Sequence, residues 1–307
     1  MRGFAGFLAY RLFRTFIALW LVSTVVFVVM RLSGDPVPLL LPPDAPIAEM
    51  ERVRRDLGLD QPLPVQYGIF LANAARGDFG RSIHFRQPAM EVARSYLRAT
   101  FELGLVAFVV AMVVAFPVGV LSAVRRNSPL DHAAMGLALV GQSAPTFFIG
   151  ILFILILALR FDLFPTSGRG DWRHLVLPAL TLGAFTMASI ARITRSAVLE
   201  VLRADFVRTA RAKGVSETWV VAKHTLRNAA LPILTITGLQ FGTLLGGAVV
   251  TETVFAWPGI GRLAIQSIYN RDYPVVQSTV FIAAVLFIAI NLLLDVLYGV
   301  LDPRARA

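Results

Sequence analysis

The sequence predicts an all-α polytopic membrane protein of six transmembrane helices, with both termini on the inner side of the membrane. Three observations carry this. First, 56% of the 307 residues are hydrophobic and only 16% are charged, where soluble domains carry about 25% charged residues. Second, the apolar residues are blocked. Stretches free of Asp, Glu, Lys, Arg and His cover 15–30, 103–124, 133–159, 175–191, 228–251 and 273–294. Most approach the ~20 residues needed to cross a hydrocarbon layer of about 30 Å. Third, the remaining charges are shared unequally between the intervening segments. Six such blocks exclude a soluble enzyme, a secreted disulfide scaffold and a disordered regulator.

Spans fall at about 11–31, 99–124, 132–159, 174–195, 229–254 and 276–300. With the N-terminus inside, the inner segments 1–14, 125–131, 192–227 and 302–307 hold 15 basic residues against five acidic ones. The outer segments 32–98, 160–173 and 257–275 hold 13 basic residues against 11 acidic ones. Lys and Arg are retained on the cytoplasmic side, so the N-in/C-in arrangement is preferred. The net charge of +10 is thus a topology signal rather than a nucleic-acid surface. Of the 29 cations 27 are Arg, which reads as compositional bias. The absence of Cys excludes metal–thiolate sites, thiol catalysis and disulfides.

The first span follows Arg2, Arg11 and Arg14, a pattern shared with signal peptides. No small-residue cleavage site follows Met30 and five more spans do, so it reads as a retained helix. Arg31 at its outer end can snorkel to the headgroups. The outer segment 32–98 is too long for a simple connector. Asp44 and Pro46 open a short helix whose Ile47, Met50, Val53 and Leu57 share a face, and Gly58 ends it. Val65 to Ala75 forms a second helix closed by Gly77, and Pro88 starts an amphipathic helix that runs into the second span. The segment reads as an interfacial cap packed on the bundle, a role compatible with docking an external partner. Further along, Pro117, Pro145 and Pro178 are expected to kink their helices. Gly238, Gly242 and Gly246 recur every four residues in span five and permit close helix approach. Pro258-Gly-Ile-Gly261 forms a turn just outside that span.

The inner segment 192–231 reads as two helices broken at Gly214. The first runs to Lys213, and Gly214 takes the left-handed conformation that stops it. Ser216 suits an N-cap, with Val215 and Val220 as a hydrophobic staple. The second helix puts Val215, Trp219, Ala222 and Leu226 on one stripe. An apolar stripe among Arg and Lys needs a burial site, either the membrane surface or a groove on a partner protein.

These residues also carry a resemblance. Phe206-Val-Arg-Thr-Ala-Arg-Ala-Lys-Gly214, followed by His224-Thr-Leu-Arg-Asn228, resembles the "EAA" loop of binding-protein-dependent ABC importer permeases. It is most similar to the dipeptide/oligopeptide/nickel branch, where Arg-Thr-Ala stands in place of Glu-Ala-Ala. The general pattern ends Ile-x-Leu-Pro; here His224 and Leu226 hold the first and third positions, Arg227 replaces the proline, and Pro232 comes five residues later. The likeness extends through Gly34-Asp-Pro36, Leu57 to Tyr67, Arg76 to Ser82, Leu163 to Gly168, Glu252 to Arg262, Arg271 to Pro274 and the ending Asp295 to Arg304. Order and spacing over about 270 residues make the match specific where each piece alone is weak.

The resemblance implies a permease subunit of the bacterial inner membrane, paired with a second, related permease. Two ABC ATPase subunits would sit on the inner side and a substrate-binding protein outside. The loop 196–228 would hold the coupling helix, with Arg208, Thr209, Ala210, Lys213, Gly214, Val215, Trp219 and His224 meeting an ATPase. The chain then divides into a tail and first helix (1–31), an outer helical loop (32–98) and a five-helix core (99–307). The implied cargo is di- or oligopeptides or solutes of similar size.

No Gly is followed by Lys, so the chain has no phosphate-binding P-loop. The residues His84, His132, His174 and His224 form no His-Glu-x-x-His pattern, and Gly141-Gln-Ser-Ala-Pro145 is not a nucleophile elbow. The chain is therefore expected to be no enzyme and to carry no cofactor, with ATP and Mg²⁺ on partner subunits. Glu102, Glu252 and Asp295 are the acids in or beside spans. Such residues are functional candidates, but their positions near span ends favour solvation by interfacial water. Gln142 and Gln240 lie deeper, and with Glu252 they are the candidates for a polar pathway; helix–helix hydrogen bonding is the other role open to the glutamines. The competing reading, a self-sufficient secondary transporter or channel, calls for inverted repeats, broken helices and midplane charges, which the sequence does not display. A non-transporting membrane scaffold is separated from the leading reading only by the resemblance.

Overall fold

A computed structural model of the chain describes residues 4–32, 34–35, 37–42, 45–56 and 58–301, with the helix backbone alone at 4–5, 7–9, 12, 39–40, 245 and 294–301. Asp44 and Leu57, expected in the first outer helix, lie outside the described residues, as does the Asp295 side chain. Every regular element among the described residues is helical. Extended pairing is limited there to one isolated bridge between Arg81 and Pro88.

In chain order the helices are α1 (Phe4–Leu32), α2 (Val37–Leu40), α3 (Ile47–Asp56), α4 (Leu63–Ala75), α5 (Ala89–Val124), α6 (Pro129–Ser143), α7 (Thr146–Phe153), α8 (Arg173–Leu202), α9 (Asp205–Ala212), α10 (Glu217–Trp219), α11 (Leu226–Val254), α12 (Ile260–Tyr269) and α13 (Tyr273–Leu301). Wider, π-helical turns extend α7 over Ile154–Arg160 and join α10 to α11 over Val220–Thr225. Four helices are long and apolar enough to cross a bilayer: Phe13–Leu32, Ala89–Val124, Arg173–Leu202 and Tyr273–Leu293. Two further spans exist only as bent pairs, so the number reaches six when each pair counts as one.

The sharper bend, 112° between Pro129–Ser143 and Thr146–Arg160, interrupts what reads in sequence as one straight span. Its cause is local. Pro145 disfavours the helical conformation at the residue before it, and Ala144 is extended there, with φ −76° and ψ 133°. Helices α5 and α8, by contrast, continue through Pro117 and Pro178.

The described residues form two compact units, one drawn from the chain up to Ala99 and from Pro258 onward, the other Thr100–Trp257. In the first, an aromatic chain holds the outer segment together: Phe27 meets Phe70 at 5.5 Å, Phe70 meets Phe79 at 6.3 Å, and Phe79 meets Phe281 at 5.1 Å between ring centroids. Ala74, Ala89, Val92, Leu263 and Val275 complete that core. Asp272, fully buried, accepts hydrogen bonds from the Ser82 hydroxyl and, at 3.0 Å, from the His84 amide. It thereby ties the outer loop to the turn before α13. The expected cap is only half realised. Helix α4 packs, burying Gln66 and Ala74, whereas α3 buries no residue and leaves Ile47 76% exposed. With Glu49, Glu51, Arg52, Arg54, Arg55 and Asp56 in ten residues, α3 has too narrow an apolar face to be drawn into a core.

In the second unit α8 is the centre, with α5, α6, α7 and α11 around it. The approach of α5 to α8 is set by glycine. A Cβ on Gly119 would lie 2.6 Å from the Ala191 carbonyl oxygen, and one on Gly183 would lie 3.0 Å from that of Ala107. Of the glycines singled out in span five, Gly242 is buried, whereas Gly246 is exposed, with open space where a Cβ would stand. Asp131, 2% exposed, receives two hydrogen bonds from Arg195, at 2.6 and 2.7 Å, and one from the Asn127 amide. This pair links the start of α6 to the end of α8.

Candidate functional site

The inner loop between α8 and α11 is built as one small folded body. After Leu202 the chain breaks at Arg203-Ala204, with Ala204 extended, and restarts as α9. The sequence reading carried a single helix to Lys213, so this break is a correction. Its reason is tertiary: Val207 and Ala210 turn inward to pack on Val220, forming a miniature core with Val215 at its edge.

Gly214 ends α9 with φ +78°. The Val215 amide donates to the Ala210 carbonyl at 3.3 Å, and the Gly214 amide donates to that of Arg211 at 2.9 Å. This is the Schellman arrangement, completed by the contact of Val215 with the Ala210 cluster. Ser216 occupies the N-cap position with extended backbone, but its side chain makes no capping bond. A fork from Arg211 closes the turn, its Nε and Nη2 reaching Glu217 at 3.0 and 2.6 Å. Those hydrogen bonds hold the Glu217 carboxyl below its usual range. The sequence reading passed over this pair, although opposite charges flanking a glycine turn are a usable signal.

The expected stripe of Val215, Trp219, Ala222 and Leu226 does not survive as a single face. The wide turn over Val220–Thr225 adds a residue to the helical repeat, and the Thr225 hydroxyl donates back to Val220, five residues earlier. Val215 therefore faces the local core and Leu226 packs with Ala197, Val198, Ala229 and Ile233. Trp219 and Ala222 stay outward, Trp219 60% exposed with the Lys223 ammonium 5.6 Å from its ring centroid.

Of the other candidates, Ala210 is buried and His224 half-buried, its carbonyl accepting from Asn228 at 2.6 Å. Arg208, Thr209, Lys213 and Gly214 are exposed. Arg208 makes only a loose, solvent-facing pair with Asp205 at 3.4 Å. The outward surface is thus two aromatics, Phe206 and Trp219, set among cations. Cation–π contact preorganises Trp219 without covering it.

The pathway candidates do not form a cluster. Gln240 and Glu252 stand roughly three turns, or about 18 Å, apart along α11. Gln240 is buried, and its Oε1 accepts from Thr243 on the same helix at 3.2 Å. Glu252 is fully buried rather than solvated at an interface, and accepts from the Thr100 hydroxyl at 2.6 Å. Glu102 is the acid that keeps to the surface, paired with Arg169 at 2.5 Å. Gln142 is half-buried near the end of α6. Among the described residues no group of His, Asp and Glu is arranged to hold a metal ion.

Comparison with known proteins adds a consistent result. A family model described as binding-protein-dependent transport system inner membrane component matches residues 115–307, and the model of its N-terminal region matches residues 4–116. The glutathione transport system permease protein GsiC of Escherichia coli K12 is 46% identical over 289 residues, 94% of each chain. That of Shigella flexneri serotype 5b is 45% identical over the same length. Among solved structures, the inward-facing MetNI methionine ABC transporter aligns with a TM-score of 0.60 at 20% identity, covering 69% of this chain and 97% of that one. An amino acid ABC transporter crystallised with histidines gives 0.55 at 18%, covering 67% and 92%. Likeness at that identity establishes the shared fold alone.

Proposed function

The chain belongs to the family of binding-protein-dependent transport system inner membrane components, and from that premise we propose that it forms half of the pathway of an ATP-driven importer for di- or oligopeptides or solutes of similar size. It is an ABC permease, a transport component crossing the bacterial inner membrane several times. The finer reading assigns it a second, related permease, two ATPase subunits carrying ATP and Mg²⁺, and an external substrate-binding protein. It also keeps N-in/C-in topology, which the excess of inner-segment Arg and Lys supports.

The observation that carries the reading is the inner loop. With no P-loop of its own, the chain must receive the energy of ATP hydrolysis as a mechanical displacement. The Val207–Val220 core and the Arg211–Glu217 fork make α9 and α10 move together, and α10 continues without a break into α11. Leu226, Ala229 and Ile233 pack in turn against Ala197 and Val198 of α8. A push on the loop is therefore delivered to two spans at once, which is what alternating access requires. The peptide-sized cargo is supported by GsiC, whose name specifies glutathione, itself a tripeptide.

Affinity purification from native membranes in mild detergent tests the assembly. Recovery with a second permease and P-loop ATPases is expected; recovery as an active homo-oligomer sinks the proposal in favour of a self-sufficient transporter. Gly214→Val tests the coupling role. A Cβ there meets open space, so the substitution acts through backbone strain alone, costing about 1–2 kcal/mol locally. The expected result is peptide uptake lost while ATP hydrolysis persists; normal uptake at normal expression removes the loop from the mechanism. Trp219→Ala should leave insertion intact and weaken ATPase retention during purification, and unchanged retention contradicts a buried contact for this ring.

A further inference from the structure

The second unit contains a groove that the transport reading does not use. Its walls are apolar, with Val114 and Leu121 from α5, Leu130 and Leu137 from α6, and Ala184 and Ala191 from α8, around a volume of about 560 Å³. Leu137 is 73% exposed and Leu121 46%, so the groove opens sideways to the membrane. On α8 its floor runs through Leu180, Ala184, Ala188 and Ala191. Those residues follow one another at steps of three and four, and the same face continues one turn further to Arg195 and Leu199.

There the lining changes character. A second cavity, about 540 Å³, is bounded by Arg126, Asn127, Arg195, Glu200 and Arg203. Arg195 spends its charge on Asp131, whereas Arg126 and Arg203 are in no ion pair among the described residues. Glu200 lines the cavity without pairing with either, and Arg125 and Arg192 stand exposed nearby. Counting Arg126, Arg195 and Arg203 against Asp131 and Glu200, the pocket keeps one positive charge in excess. A hydrocarbon channel ending in a pocket with that balance matches one amphiphile of the surrounding solvent. We propose that it holds an anionic phospholipid, with its acyl chains along α5, α6 and α8 and its phosphate between Arg126 and Arg203. Basic pockets between membrane helices take such headgroups, each nearby cation adding about 1 kcal/mol.

Native mass spectrometry of the protein, purified with its accompanying subunits and titrated with phosphatidylglycerol or phosphatidylcholine, tests this. The expected result is phosphatidylglycerol retained on this chain, phosphatidylcholine released, and retention reduced about tenfold or more in R126Q/R203Q. Because the double variant could fold poorly, E200Q provides the opposite sign: removing an exposed acid should strengthen phosphatidylglycerol retention. Equal retention of the two lipids, or no response to either variant, overturns the headgroup site. A cross-link from L137C to a helix of another subunit, in place of bound lipid, overturns the occupant.

Discussion

Helices α1 and α8 both qualify as membrane spans, yet they sit in opposite environments. Only 17% of the apolar stretch of α1 is buried within the chain, against 61% for α8, although α1 is the more apolar of the two. Their compositions explain the inversion. Phe13, Phe16, Trp20 and Val25 of α1 are exposed, as large apolar side chains are at home against lipid tails. The buried face of α8 carries Thr181, Gly183, Thr186, Ala188, Ser189, Ala191 and Thr194 between the larger Leu177, Leu182, Ile190 and Val198. In a membrane the hydrophobic effect does not draw helices together, so association depends on small residues that admit close contact. Hydropathy thus reports which segments enter the bilayer, and small residues report which of them pack.

Four substitutions sharpen or break this comparison. The largest effect is expected for Asp131→Asn, which strands the Arg195 charge where two hydrogen bonds now neutralise it. Arg195 keeps some contact with solvent, so loss of its charged partner costs about 1.5–3 kcal/mol, and thermal unfolding in detergent should show a marked fall in midpoint. Next comes Gly119→Ala. The added methyl collides with the Ala191 carbonyl and the Thr194 side chain, and overpacking of this kind costs about 1–3 kcal/mol. Gly246→Ala, made as its control, meets open space and should leave the midpoint unchanged or slightly raised. The smallest effect belongs to Phe16→Ala on α1, 68% exposed, expected within about 0.5 kcal/mol. A Phe16→Ala loss as large as that of Gly119→Ala would mean that α1 is covered in the assembled protein.

The same distinction separates what could be read in advance from what could not. The apolar blocks located all the long helices, because a bilayer demands length and composition and both are local properties. Gly214 was legible as a stop, and its φ of +78° with the Schellman bonds follows from the residue type. Three prolines looked equivalent in sequence. Only Pro145 ends a helix, since α5 and α8 continue through Pro117 and Pro178. The stripe ending in Leu226 assumed a constant helical repeat, and the wide turn over Val220–Thr225 removed that premise. Of the three regularly spaced glycines in span five, Gly246 meets open space, while close approach of α5 to α8 is made at Gly119 and Gly183, which no spacing marked.

By itself, then, the sequence determined the all-helical membrane class, the loop that stands apart from the long helices and the family. Each depends on composition or on residues adjacent in the chain. The tertiary structure alone decided that Asp131 meets Arg195, that Glu252 is buried against Thr100 rather than solvated, and that α8 occupies the centre of its unit. Those outcomes turn on partners tens to more than a hundred residues away. In spans that are apolar all round, no local pattern says which face the partner will take.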